Sequence, residues 1–118
     1  VSAAAAGCLF CRIARGELPA RVLFEDERVF AFEDVRPQAP VHFLVIPKEH
    51  VSSLDDIPEG REGLLGEILL RARTIARDKG VSGKGYRIVL NTGPGAGQSV
   101  FHIHFHVLGG RPLGWPPG

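Results

Sequence analysis

The chain has no methionine, one tryptophan, one tyrosine and only two cysteines in 118 residues. Without an initiator methionine, residues 1–7 (Val1 to Gly7) are expected to be a disordered or processed N-terminal segment. They lack the charged and apolar regions of a signal peptide, and an earlier targeting segment stays open. The cysteines sit together as Cys8-Leu9-Phe10-Cys11. A pair this close makes no secreted disulfide framework, so a reducing, cytoplasmic compartment is expected. No apolar run approaches the roughly 20 residues that cross a bilayer as a helix. Basic runs are missing too: Lys+Arg number 14 against Asp+Glu 13, a net charge of +1. That balance gives no support to broad attraction to nucleic acid or membrane. There is also no carboxylate cluster suited to Mg²⁺.

What remains is 44% hydrophobic and 23% charged, the composition of one globular domain, expected over 8–118 with a Pro/Gly-rich tail at 109–118. Cys8 to Arg15 reads as a short helix stopped by Gly16. Arg21–Glu25 and Arg28–Phe32 read as a hairpin around Asp26-Glu27, and Val41–Ile46 as an apolar strand ended by Pro47. Leu64, Leu65, Ile68, Leu69, Ala72, Ile75 and Ala76 recur at helical spacing, with Asp55 or Asp56 as the expected cap, Pro58 in the first turn and Gly80 at the end. Tyr86–Asn91 and Val100–Leu108 read as further strands. The order predicts an α+β domain: an antiparallel sheet of about five strands with one long and one short helix.

The chemistry concentrates in Phe101-His102-Ile103-His104-Phe105-His106-Val107. Side chains alternate between the faces of a strand, so His102, His104 and His106 line one face at steps of about 6.8 Å. Phe101, Ile103, Phe105 and Val107 line the other, where a core belongs. Three of the chain's five histidines fall in this stripe. Such a row suits either zinc ligation or acid/base and nucleophilic catalysis, because imidazole is largely free base near pH 7. The preceding loop Asn91-Thr92-Gly93-Pro94-Gly95-Ala96-Gly97-Gln98-Ser99 favours catalysis at phosphorus. Its glycines let backbone N–H groups approach an anion, and Asn91, Gln98 and Ser99 add polar side chains.

The run His102-Ile103-His104-Phe105-His106-Val107-Leu108 resembles the signature of the histidine triad (HIT) nucleotide-binding family, in which apolar residues follow each histidine. Glu33 to Lys48, Gly97-Gln98-Ser99-Val100 and Trp115-Pro116-Pro117-Gly118 resemble its HINT branch, so the likeness covers nearly the whole chain. It implies a homodimer whose sheets pair, purine nucleotide binding, and hydrolysis of adenosine or guanosine 5′-phosphoramidates without a cofactor for the chemistry. The matched positions imply His104 as nucleophile, His106 and Ser99 at the phosphate, and His102 and His42 in support. Asp34 is implied at the ribose, and Leu9, Phe10, Ile13, Phe32 and Val35 in an apolar base slot. Asn91 matches the family's active-site asparagine, with Gly97 and Gln98 beside it. Trp115 is implied to reach the partner subunit's site. The Cys8-x-x-Cys11 pair is absent from the animal members but is found in many prokaryotic relatives, which can bind zinc. With His50 and His102 it would complete a four-ligand site.

Competing readings use the same residues. A zinc-dependent binding module would employ the histidines and cysteines without turnover, and a nucleotide sensor would bind without useful chemistry. A dinucleoside polyphosphate hydrolase fits poorly with the 91–99 loop and the Trp-Pro-Pro-Gly ending. A nucleotidylyltransferase typically has glutamine where this chain has His106. The apolar slot leaves adenine against guanine undecided.

Overall fold

The computed structural model describes residues 7–118; the N-terminal expectation for 1–6 lies outside the described residues. Five strands form one antiparallel sheet in the order β1-β2-β3-β5-β4. They are β1 (Val22–Glu25), β2 (Val29–Glu33), β3 (Val41–Pro47), β4 (Tyr86–Leu90) and β5 (Phe105–Gly109). The helices are α1 (Leu9–Ala14) and α2 (Glu62–Asp78). This is the expected α+β architecture.

Alternation along the strands divides the core in two. On one face Val29 and Ala31 of β2, Phe43 and Val45 of β3, and Phe105 and Val107 of β5 pack against Leu64, Ile68, Ala72 and Ile75 of α2. On the other, Phe30, Phe32, Leu44 and Ile46 pack against Phe10 of α1. His42 precedes Leu44 by two residues, and Leu44 pairs with His106 across the β3–β5 ladder. Strand parity therefore puts His42 and His106 on the α1 face as diagonal neighbours.

Three expectations are corrected. β5 starts at Phe105, not Val100. Ile103 N–H donates to the Val51 carbonyl at 2.7 Å, so this stretch bonds to a loop, not to the sheet ladder. Ile103 still enters the α2-side core, but Phe101, which alternation assigns to that core, is exposed. Secondly, α2 begins at Glu62 with Arg61 at its cap, because Asp55 and Asp56 belong to a separate 3-10 turn, Leu54–Asp56. Gly60, at φ +84°, separates the two. Thirdly, Leu69 is exposed on α2 beside the exposed Leu70.

Ile68 is fully buried between α2 and the sheet. Ile68→Ala is expected to lower stability by about 2–5 kcal/mol through lost transfer energy and a residual cavity. Urea unfolding of the variant beside the wild type measures it.

Candidate active site

Cys8 caps α1, its sulfur accepting the Cys11 N–H at 3.4 Å. This turn brings both thiols under His102. Cys8 Sγ lies 3.4 Å from His102 Nδ1, Cys11 Sγ 3.5 Å from the same atom and 3.3 Å from His50 Nδ1. The four ligand atoms lie within 4.8 Å of one another. A tetrahedral site with zinc–sulfur bonds of about 2.3 Å and zinc–nitrogen bonds of about 2.0 Å spaces neighbouring S and N by about 3.5 Å. The donor set and its spacing therefore fit a metal. His102 Nε2–H donates to the Pro47 carbonyl at 2.7 Å, which turns the Nδ1 lone pair toward the sulfurs.

The His102 side chain belongs to this cluster, but its backbone serves His104. His104 Nδ1–H donates to the His102 carbonyl at 2.8 Å. In the neutral ring that bond leaves Nε2 as the lone pair. Phe10 stands edge-on to His104, with ring centroids 5.1 Å apart. Burial pushes the His104 pKa down, against the backbone bond and Asp34, which raise it.

A second chain of bonds fixes the outer histidines. Gln38 N–H donates to His42 Nδ1 at 3.0 Å, so the neutral ring carries its proton on Nε2. That Nε2 lies 2.9 Å from His106 Nδ1, which accepts. His106 then carries its own proton on Nε2 and is a donor there. Asp34 Oδ2 lies 3.3 Å from His42 Nε2 and 3.9 Å from His106 Nδ1, while Oδ1 accepts the Arg36 N–H at 2.8 Å. Burial, then the neighbouring His104 and His42, push His106 down to about 4. Burial also lowers His42, opposed by Asp34.

The remaining expected residues are placed unevenly. Phe10 and Phe32 are buried against each other at 5.5 Å. Ile13 is half-buried, Leu9 is exposed and Val35 is 90% exposed. A cleft of about 680 Å³ beside Asp34 and His42 is lined by Val35, Ala20, Arg21 and Pro37, but not by Leu9, Phe10, Ile13 or Phe32. The Gly-rich loop differs from the expected cradle. The N–H groups of Gly93, Ala96, Gly97 and Gln98 all bond inside it. The Gln98 side chain is buried, accepting from Gly93 N–H and donating to the Ser52 and Val100 carbonyls. Gln98 thus braces the loop. Asn91 lies against Gly97, where an added Cβ would sit 3.9 Å from Asn91 Nδ2, and Ser99 is exposed. Trp115 is 83% exposed on a tail held by Arg87 Nη2, which donates to the Gly114 carbonyl at 2.7 Å.

Sequence reasoning missed the main-chain partners: the carbonyls of His102 and Pro47 and the N–H of Gln38. Every residue type carries these groups, so no sequence signal marks them.

His42 on β3, His106 on β5 and His104 in the segment before β5 thus form a set of imidazoles, each with its proton fixed by a hydrogen bond, on the α1 side of the antiparallel sheet. The chain belongs to the HIT domain family, whose pattern matches residues 15–113. It is 50% identical over 110 residues to an uncharacterised HIT-like protein of Synechococcus elongatus, covering 93% of this chain and 96% of that one. The crystal structure of a HIT family hydrolase from Legionella pneumophila is 53% identical, with a TM-score of 0.93, covering 95% of this chain and all of that one (100%). A histidine triad nucleotide-binding protein from Candida albicans is 32% identical, with a TM-score of 0.79, over 93% of this chain and 83% of that one.

His106 stays neutral down to about 4 in the folded chain, below the ordinary value of 6.5. A depressed folded value means full stability above the unfolded pKa, with loss as pH falls from about 6.5 toward 4. Urea midpoints measured through that window are expected to decline, and His106→Gln to decline less.

Proposed function

We propose that the protein is a HINT-branch phosphoramidase that hydrolyses purine nucleoside 5′-phosphoramidates through a nucleotidyl-His104 intermediate. The observation that carries this reading is the His104 Nδ1–H bond to the His102 carbonyl. It leaves a buried, neutral Nε2 lone pair, the form of imidazole that attacks phosphorus. The hydrolase name of the Legionella relative and the nucleotide-binding name of the Candida one agree with it.

In the first step His104 Nε2 bonds to phosphorus and the P–N bond breaks, the departing nitrogen taking a proton from solvent and leaving as the neutral amine. The ring gains positive charge, and its Nδ1–H bond to the His102 carbonyl becomes charge-assisted and stronger. The His106 Nε2–H and the Ser99 hydroxyl donate to phosphoryl oxygens, with Ser99 also near the departing amine. In the second step water attacks phosphorus and gives up a proton to solvent, the P–Nε2 bond breaks to return neutral His104, and the nucleoside monophosphate leaves. His42 acts through His106 by fixing its proton. Asp34 holds the ribose hydroxyls through Oδ2. Phe10 and Phe32 form the floor for the base, with Leu9, Ile13 and Val35 at its rim. Asn91, Gly97 and Gln98 shape the phosphate loop.

Cys8, Cys11, His50 and His102 would hold zinc. When bound, zinc supplies a structural crosslink between α1, the end of β3 and the segment before β5. The close Cys8-x-x-Cys11 spacing, which is not that of a secreted disulfide framework, supports a reducing, cytoplasmic setting. A homodimer is supported by the edge strand β4, which among the described residues pairs with β5 alone, and by the exposed Leu69 and Leu70. In it Trp115 would reach the partner's site.

Steady-state hydrolysis of adenosine 5′-phosphoramidate tests the reading, with and without a chelator. Wild-type turnover is expected to survive brief chelation. His104→Ala is expected to lose at least about 10³-fold in kcat while nucleotide affinity stays within about tenfold. Equal turnover in the variant, or none in the wild type, contradicts the proposal. Metal analysis is expected to find about one zinc per chain, falling sharply in Cys11→Ser; no zinc in the wild type rules out that part.

A further inference from the structure

The Gln38 N–H that fixes the His42 tautomer stands on a turn with little packing of its own. Val35, Arg36, Pro37, Gln38 and Pro40 are exposed, and only Ala39 of this stretch is buried. What grips the turn comes from far along the chain. Arg111, just beyond β5, donates to the Gln38 carbonyl from Nε at 3.0 Å and from Nη2 at 2.9 Å. Its Nη1 donates to the Pro112 carbonyl at 3.0 Å, which fixes the plane of the guanidinium. Gly110, at φ +90°, lets the two segments meet: a Cβ there would sit 2.9 Å from Pro40 Cβ.

We propose that Arg111 is a positioning residue for the histidine chain, clamping Gln38 so that its N–H sets the proton on His42 and, through it, on His106. The proposal rests on the phosphoramidase reading for its kinetic consequence, but not for its structural one. The logic is a sequence of donors. Arg111 holds Gln38, Gln38 N–H occupies His42 Nδ1, and His42 Nε2–H occupies His106 Nδ1. His106 Nε2–H is then committed as a donor to a phosphoryl oxygen. If the turn loosens, Asp34 Oδ2, 3.3 Å from His42 Nε2, still favours the proton there, but His42 is free to carry it on Nδ1 for part of the time. In that form its Nε2 becomes an acceptor, His106 reverses, and the donor at His106 Nε2 is lost. A fork of parallel N–H groups holds one carbonyl in one orientation, which a lysine ammonium does not do.

The test reads the tautomers directly, by long-range ¹H–¹⁵N spectra of the histidine rings in the protein as purified. Wild type is expected to show His42 and His106 protonated on Nε2 alone. Arg111→Ala is expected to show a mixture of tautomers at both, and Arg111→Lys a smaller one. Arg87→Ala is the control. Arg87 also holds the tail, through the Leu113 and Gly114 carbonyls, but does not touch Gln38. Its tautomers are expected to match wild type. In turnover, Arg111→Ala is expected to lose about tenfold in kcat, the worth of one charge-assisted hydrogen bond, with KM within about twofold. Wild-type tautomers in Arg111→Ala overturn the proposal, and so does the same mixture in Arg87→Ala. If Arg111→Ala does not fold, Arg111→Lys decides by the same spectra. Absence of wild-type turnover contradicts the phosphoramidase reading and leaves the tautomer result to judge the clamp.

Discussion

The hydrogen bond from His104 Nδ1 to the His102 carbonyl, 2.8 Å long, decides which nitrogen of the central imidazole is a lone pair. A neutral imidazole has one donor and one acceptor, and either nitrogen can take either part. The surroundings must choose, and here main-chain groups do so. The His102 carbonyl is itself held from both sides. Its ring is tied to the Pro47 carbonyl and lies against both cysteine sulfurs, and the next residue's N–H is tied to Val51. The Cys–His cluster and the His104 ring thus share one residue. Its side chain serves the first and its backbone the second.

The sheet supplies the second half of the site. Because side chains alternate, β3 sends His42, Leu44 and Ile46 to the α1 face and Phe43 and Val45 to the α2 face. β5 sends His106 to the α1 face and Phe105 and Val107 to the α2 face. Packing α2 against one face therefore fixes, through register, which polar groups meet on the other. A slip of one residue between β3 and β5 would turn His106 into the core. The apolar core and the histidine cluster are two faces of the same constraint. Burial then keeps the rings neutral, with His106 held to about 4.

The parts legible in the sequence are those that depend on side-chain periodicity. The spacing of Leu64, Ile68, Ala72 and Ile75 gave α2, and the apolar alternation gave the parity of Ile103, Phe105 and Val107. The histidine row kept its common side although His102 and His104 precede the strand, because Ile103 still anchors in the core from a loop. Where alternation was carried past the ladder it failed, and Phe101 faces solvent. The start of α2 was misread because Asp55 and Asp56 are good caps that close a shorter 3-10 turn instead. Gln98 looked like a phosphate ligand because an amide advertises its chemistry but not its partner. The convergence of His50 on the cysteines was visible only through family resemblance. The groups that set the imidazole protons, on Gln38, Pro47 and His102, are backbone atoms, on which composition and spacing are silent.

The most direct test of a nucleophilic His104 is to catch it joined to phosphorus. Wild-type protein is mixed with adenosine 5′-phosphoramidate, quenched under mildly alkaline conditions within the first turnover, and digested for peptide mass mapping. The account predicts an adenylyl group on His104, formed and lost at rates that match turnover. An adduct on His102 or His106, or product formed with no adduct on any histidine, would contradict it.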